Sequence, residues 1–266
     1  MFSATKAKKI VIKVGTSTLM HKTGKTNLRK IEGLVRVISD LKNSGKEVII
    51  VSSGAIAVGS QKLGYKKRPS EVAHKQATAA VGQCELMYLY DKFFSEYSHI
   101  VGQILLTNDI LQDEAGREHV MNTFRALLNC GAIPIVNEND SVAIDELVIG
   151  DNDTLSAVVS SLVGADMLII LSDIDGLFDK NPKKYPDAKL ISIVQEITPE
   201  IEALCGGAGS DFGTGGMVTK VSAAKIASAA GCDMMIVNGE DPQILYEIFD
   251  GKSRGTLFLS KGGTIE

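Results

Sequence analysis

Six short apolar runs recur along the chain, most of them closed by a glycine or a polar turn: KIVIKV (9–14), EVIIVSS (47–53), HIVGQILL (99–106), AIPIVN (132–137), DMLIIL (166–171) and DMMIVN (233–238). Between them the apolar positions fall at helical spacing. Over 28–44, Leu28, Ile31, Leu34, Val35, Ile38 and Leu41 step by three and four, and Gly45 supplies a stop. The same reasoning predicts helices over 70–96, 117–130, 154–163, 218–230 (Ala-rich, ended by Gly231) and 242–250. SVAIDELVIG (141–150) alternates on either side of Asp145 and Glu146, which predicts a hairpin.

The segments VIIV, MLII and MMIV are apolar at every position, the signature of strands buried on both faces. Strands alternating with helices predict a three-layer α/β/α sandwich with a central, mostly parallel sheet. No linker composition divides the chain, so 1–266 reads as a single domain. The region 172–216, with Pro182, Pro186, Pro199 and a run of glycines, reads as loop-rich.

Ligands of open α/β sheets collect beyond the carboxyl ends of the strands. There the sequence sets KVGTS (13–17), SSGA (52–55), NENDS (137–141), LSDIDG (171–176) and GTGGMVTK (213–220), while GDND (150–153) follows the expected hairpin. Lys13 closes a buried-type strand beside Gly15, pairing a cation with bare backbone N–H groups, as an anion site does. In GTGGMVTK the glycines permit close backbone approach, and the helix that follows aims its unpaired N–H groups at the same place. It is not a Walker A loop, because three residues separate Gly216 from Lys220. A lysine in a first helical turn opposes the helix dipole, and a bound phosphate would relieve that conflict. One helix cap needs one Asp or Asn, whereas GDND has three such residues. With Glu138, Asn139 and Asp140 they form a polar cluster able to coordinate Mg²⁺, orient lysines or bind an amino group. Taken singly, each feature has a plain account: a snorkelling lysine, an ordinary glycine loop, turn chemistry. Together, two anion sites and an acidic cluster suggest ATP and a small acidic acceptor.

Composition narrows the class. A net charge of −4 over 266 residues argues against a nucleic-acid partner. The basic clusters KAKK (6–9) and Lys66, Lys67, Arg68 read as solvated surface. Cys84, Cys130, Cys205 and Cys232 form no C-x-x-C pair and suit a reducing compartment. The first apolar run is too short for a signal-peptide core, and no stretch approaches a membrane span. The expectation is a cytoplasmic protein with no membrane partner. The four histidines show no metal-ligand spacing, and no G-x-S-x-G or H-E-x-x-H occurs.

IVIKVGTSTL (10–19), VIIVSSGAIAVG (48–59), IPIVNENDSVA (133–143), GDNDTLSA (150–157), SDIDGLF (172–178) and GTGGMVTK (213–220) resemble, in order and spacing, the amino acid kinase family. SSGAIAVG, NENDSV and GDND resemble in particular its members that phosphorylate free glutamate. The resemblance implies ATP-dependent phosphorylation of the side-chain carboxylate of L-glutamate to L-glutamyl 5-phosphate, the first step of proline biosynthesis, with Mg²⁺ on the ATP phosphates. It implies that Lys13 and Lys220 stabilise the transferring phosphoryl group and that Asp153 organises both lysines. Ser53, Asp140 and Asn152 match glutamate-binding positions. Lys13, Ser172, Asp173, Thr214, Gly215, Gly216, Met217, Val218, Thr219 and Lys220 match the ATP site, and no residue is assigned as a metal ligand. The implied division is an acceptor-binding lobe over 1–165 and a nucleotide-binding lobe over 166–266. Many relatives carry a further C-terminal RNA-binding-type (PUA) domain, for which a chain ending at Glu266 has no room. The resemblance also implies proline as feedback inhibitor, a glutamyl phosphate reductase downstream, and self-association as a dimer or tetramer.

Three other readings compete. A kinase of the same fold could act on acetylglutamate, aspartate, carbamate or a nucleoside monophosphate. A nucleotide sensor without turnover would keep the glycine loop but could dispense with a second lysine and Asp153. A Rossmann dehydrogenase would want G-x-G-x-x-G after the first strand, and KVGTSTLM lacks it.

Overall fold

The computed structural model describes residues 3–142, 151–205 and 216–261. After a 3₁₀ turn at Ser3–Thr5, its first half runs β1 (Lys9–Val14), α1 (Thr16–Leu19), α2 (Leu28–Asn43), β2 (Glu47–Ser52), α3 (Ala55–Lys62) and α4 (Val72–Ser95). Next come β3 (Val101–Leu106), α5 (Asn108–Gln112), α6 (Glu114–Asn129), β4 (Ile133–Glu138) and α7 (Asn152–Val163). The chain continues through β5 (Met167–Ser172), β6 (Ile193–Val194), α8 (Pro199–Cys205), α9 (Met217–Ala229), β7 (Asp233–Asn238), α10 (Ile244–Phe249) and β8 (Thr256–Phe258). The expected hairpin over 141–150 lies almost wholly outside the described residues, as do most of the loop glycines between 206 and 216.

Among the described residues these strands form one sheet in the order β3-β4-β2-β1-β5-β7-β8-β6. Every neighbouring pair is parallel except β7 with β8. Parallel strands need crossovers, and the helices supply them on both faces. The period of two along β1 makes this visible. Ile10, Ile12 and Val14 enter one apolar core with α2, α4 and α10, whereas Val11 enters the other with α6, α7 and α9. The three-layer, mostly parallel sandwich expected from the sequence is therefore the architecture found.

The order also fixes where a ligand can sit. From β1 the chain moves to β2 on one side, and it returns later to place β5 on the other. A crevice opens where strand order reverses in this way. Lys13 and Gly15 lie at that point, next to Ser52 at the end of β2, Ser53 just beyond it, and Leu171 and Ser172 from β5.

A helix the sequence leaves unmarked, α3, shapes one wall together with the expected α4. α3 and α4 cross in backbone contact at Gly59 and Gly82, because a Cβ on Gly82 would fall 1.7 Å from the Ala55 carbonyl oxygen and 2.5 Å from the Gly59 nitrogen. Only glycine permits so close a crossing. Gly82→Ala gains about 1 kcal/mol of helix propensity, yet it must push the helices apart at a cost of about 2–3 kcal/mol. A net fall in the urea midpoint is expected, and an unchanged or raised midpoint would show that the helices do not meet so closely.

Candidate active site

Lys13 shares its side of β1 with Val11, the face covered by α7 and α9. On α7, Asp153 lies on the same stripe as Ser156, Ala157 and Ser160, all buried. On α9, Lys220 lies on the stripe of Ala223, Ala224 and Ala227, also buried. Small residues on both stripes let the two helices approach, so their first turns meet over the end of β1.

The result is a buried ion triad. The Lys13 ammonium is 2.7 Å from Asp153 Oδ1, and the Lys220 ammonium is 3.0 Å from Asp153 Oδ2. The Asp153 side chain is 1% exposed, that of Lys220 5% and that of Lys13 12%. Thr219 Oγ1 lies 3.0 Å from the same Oδ2 and 2.8 Å from the Gly216 carbonyl oxygen, so its single proton can serve either. Burial alone would push the Asp153 pKa up, but the charges of Lys13 and Lys220 outweigh it and hold the carboxyl below its usual range. The cationic first turn of α9, which looked unfavourable against the helix dipole, is thus accompanied by a carboxylate.

GDND divides its tasks. Asp151 is the cap of α7, accepting from the Asp153 and Thr154 backbone N–H groups at 2.7 and 3.0 Å. Asn152 turns toward the β2 and β4 ends, where its Nδ2 donates to Ser53 Oγ at 3.0 Å and to Asn137 Oδ1 at 2.9 Å. Asp153 belongs to the triad, and Gly150 lies outside the described residues. The supernumerary acid and amide of this turn therefore reach two different networks.

Other expected residues fall around this centre. Ser53 donates its backbone N–H to the Val14 carbonyl, which ties the β2 end to β1. Gly54 follows with φ of 100° and caps α3 without any side-chain hydrogen bond, so the first N–H groups of α3 face the same crevice. Asp140 sits half-buried in the turn after β4, with no hydrogen bond to Ser53 or Asn152 among the described residues. Burial raises its pKa, and the Arg68 guanidinium opposes that rise. Arg68 is exposed, as its basic cluster suggested, yet its charge reaches into the site. On the other flank, Ser172 Oγ donates to Asp173 Oδ1 at 3.3 Å, the Ser172 carbonyl accepts from Gly239 N–H, and Asn238 Nδ2 donates to Asp175 Oδ1 at 2.8 Å. Gly216 caps α9 with no side-chain partner, leaving the N–H groups near Met217, Val218 and Thr219 available. Thr214 and Gly215 lie outside the described residues.

Sequence reasoning missed Asn137 and Gln83. Asn137 is 3% exposed, at the end of β4, and its Nδ2 donates to Gln83 Oε1 at 3.0 Å from α4. The signal was a lone amide on an otherwise small and apolar helix face.

Comparison with known proteins identifies the family and the fold. The model of the amino acid kinase family matches residues 8–238. The chain is 58% identical over 261 residues to a protein named Glutamate 5-kinase from Clostridium perfringens, an alignment covering 97% of each chain. It is 56% identical over 263 residues to a Glutamate 5-kinase from Listeria innocua, covering 97% of this chain and 95% of the relative. Among solved structures, carbamate kinase from Giardia lamblia bound to AMP-PNP superposes with a TM-score of 0.70 at 15% identity, covering 97% of this chain and 100% of the other. UMP kinase from Bacillus anthracis superposes with a TM-score of 0.64 at 14% identity, covering 96% and 97%. Those two likenesses concern the fold.

The triad makes a stability prediction. Because the folded-state pKa of Asp153 is lowered, its contribution is full above the unfolded value of about 3.9 and is lost as pH falls through the folded value. Asp153→Asn keeps the shape but leaves two buried ammonium groups without their counter-charge. At pH 7 it is expected to cost about 3–5 kcal/mol in urea unfolding, and the gap from the wild type should narrow below about pH 4. A gap that stays constant through that range would mean the Asp153 charge is not what holds the triad.

Proposed function

The chain belongs to the amino acid kinase family, and from that premise we propose that it is a glutamate 5-kinase working through the Lys13–Asp153–Lys220 triad. The observation that carries the mechanism is that both ammonium groups meet on one buried carboxylate at the C-terminal end of β1. The identity and coverage of the curated relatives support glutamate over the other acceptors of the fold. Proline biosynthesis is the corresponding pathway.

In the reaction, an oxygen of the glutamate side-chain carboxylate forms a bond to the γ-phosphorus of ATP. The bond from that phosphorus to the β,γ-bridging oxygen breaks, and ADP leaves with the electron pair. The products are L-glutamyl 5-phosphate and ADP. No proton moves, because the acceptor, with a pKa of about 4.3, is already ionised at neutral pH. A general base is therefore unnecessary, and the obstacle is repulsion between two anions. Lys13 and Lys220 offset that repulsion, and Asp153 holds their ammonium groups in place before substrate arrives. The acceptor lies beside Ser53, Asn152 and Asp140, the ATP beside Ser172, Asp173 and the N-terminus of α9. This places the acceptor on the β2–β4 side of the crevice and the nucleotide on the β5–β7 side.

Mg²⁺ fits this arrangement as a companion of ATP. Among the described residues no group of three or more His, Cys, Asp or Glu side chains could hold a metal ion. In this reading the ion would arrive on the substrate phosphates, where it would supply charge neutralisation. Feedback by proline, self-association as a dimer or tetramer, and a reductase consuming the acyl phosphate complete the reading. A cytoplasmic location belongs to the same reading; no described helix is long and apolar enough to cross a membrane.

With ATP, Mg²⁺ and hydroxylamine, glutamate should give a hydroxamate, while acetylglutamate, aspartate and carbamate should not yield acyl phosphate at comparable rates. A panel in which another acceptor turns over and glutamate does not would reject the assignment. Lys13→Ala and Lys220→Ala are each expected to lower turnover by at least about a hundredfold, the scale of losing one preorganised charge at a transition state. Near-normal turnover in either purified, folded variant would remove that lysine from the mechanism.

A further inference from the structure

A chain of amides runs from α4 into the acceptor side of the crevice. Gln83 is 8% exposed and Asn137 3%. Gln83 Oε1 accepts from Asn137 Nδ2 at 3.0 Å. Asn137 Oδ1 accepts from the Glu138 backbone N–H at 2.9 Å and from Asn152 Nδ2 at 2.9 Å. Asn152 Nδ2 also donates to Ser53 Oγ at 3.0 Å. Gln83 Nε2 is buried with no hydrogen-bond partner among the described residues.

We infer that Gln83 is a positioning residue that sets, through Asn137, which end of the Asn152 amide faces the amino acid acceptor. A primary amide has a donor end and an acceptor end, and reversing it exchanges them. Asn137 is fixed from both sides, since two N–H groups point at its oxygen and the Gln83 oxygen receives its nitrogen. Asn152 must then give its nitrogen to Asn137 and Ser53. That leaves the Asn152 oxygen, at the other end of the same planar amide, as the acceptor for a ligand. A hydrogen-bond acceptor at that position suits the ammonium group of an amino acid and gains nothing from a dicarboxylate that lacks one. A site built to receive an N–H group discriminates strongly against an analogue without it. Gln83 thereby governs selectivity for the amino group without touching the substrate.

The unpartnered Nε2 supports a role in orientation over one in stability. A buried donor without an acceptor is costly, and an apolar side chain of similar size would avoid that cost. The helix that carries Gln83 is well placed to act as a fixed support. Its neighbour Gly82 packs directly against the backbone of α3. Two turns further along α4, Tyr90 shares a hydrogen bond of 2.9 Å with Ser52, the residue before Ser53.

The inference rests on the glutamate kinase reading, and its test separates the two. The wild type, Gln83→Met and Gln83→Glu are compared with glutamate and with glutarate, which lacks the amino group. Gln83→Met removes the acceptor for Asn137 while keeping the volume, and Gln83→Glu keeps an acceptor oxygen. In Gln83→Met the ratio of kcat/KM for glutamate to that for glutarate should fall about tenfold, through KM for glutamate, the scale expected when a binding group is misplaced. KM for ATP should stay within about twofold, and the thermal midpoint should hold or rise. Gln83→Glu should restore the ratio to within about threefold of the wild type. Should Gln83→Met not fold, Gln83→Thr, too short to reach Asn137, takes its place. If the wild type phosphorylates no glutamate, the functional reading has failed. The relay is still decided in the ligand-free protein, where the side-chain amide NMR signals of Asn137 and Asn152 should move in Gln83→Met and stay near their wild-type positions in Gln83→Glu. A wild-type selectivity ratio in folded Gln83→Met, or unmoved amide signals, would overturn the inference.

Discussion

The carboxylate of Asp153 is the point on which the site depends, because one buried negative charge stands between two buried positive ones. Such a triad carries a surplus of one positive charge. Burying an unbalanced charge is expensive, and packing a hydrophobic group there would be the easier way to a stable protein. The surplus has a clear use if the site must receive an anion. A phosphoryl group bound there would complete the charge balance, so the protein's unfavourable term becomes a favourable one for the ligand. Asp153 also prevents the two ammonium groups from repelling one another apart before the ligand arrives. Its own lowered pKa reports that mutual stabilisation.

Three elements must agree for that carboxylate to have its neighbours. The period of two along β1 turns Lys13 toward the same layer as Val11, and the helical stripes of α7 and α9 turn Asp153 and Lys220 toward β1. The reversal of strand order at β1 opens the crevice into which all three project. Residues far apart in the chain therefore meet because each sits within three residues of the end of its own element. Small side chains on α7 and α9 are part of the same requirement. Bulkier residues at Ser156, Ala157, Ala223 or Ala224 would hold the helices apart and separate the charges.

Much of this was legible in the sequence for identifiable reasons. The central strands are continuous apolar runs with sharp polar ends, so their bounds were readable to within a residue or two. Lys13 and Lys220 stood out because each is a charge set near the end of an apolar element, whereas Asp153 was separated from its GDND neighbours only by the family resemblance. What could not be read is equally instructive. α3, AIAVGSQK, carries no clean amphipathic period, because it packs by backbone contact at Gly59 more than by an apolar stripe. The region 172–216 read as loop-rich, yet α8 and the short β6 lie within it. β6 and β8 are too short to show a pattern, and they form as an edge pair supported by β7. Gln83 and Asn137 escaped notice because an amide relay leaves no local signature: each residue gains its meaning only from a partner on another element.

The β2–β4 flank of the crevice and its centre use different kinds of polar burial, and the proposed reaction gives a reason. Toward β2 and β4 the buried hydrogen bonds run mainly between neutral amides and a hydroxyl, through Gln83, Asn137, Asn152 and Ser53. At the centre they run between full charges. An acceptor that brings its own carboxylate needs orientation more than added charge at its binding end, since an ammonium close to the nucleophilic oxygen would stabilise it against attack. Neutral amides supply direction with little field. Charge is best confined to the place where the migrating phosphoryl group carries it, because only interactions stronger in the transition state than in the ground state raise the rate. Between the two stands α7, whose first turn contributes Asn152 to the amides and Asp153 to the charges. Adjacent residues on one helical turn point about 100° apart, so a rigid turn capped by Asp151 holds both networks in fixed relation. On the proposed reading, any shift of that turn would disturb acceptor orientation and phosphoryl stabilisation together, tying recognition of the amino acid to readiness for transfer.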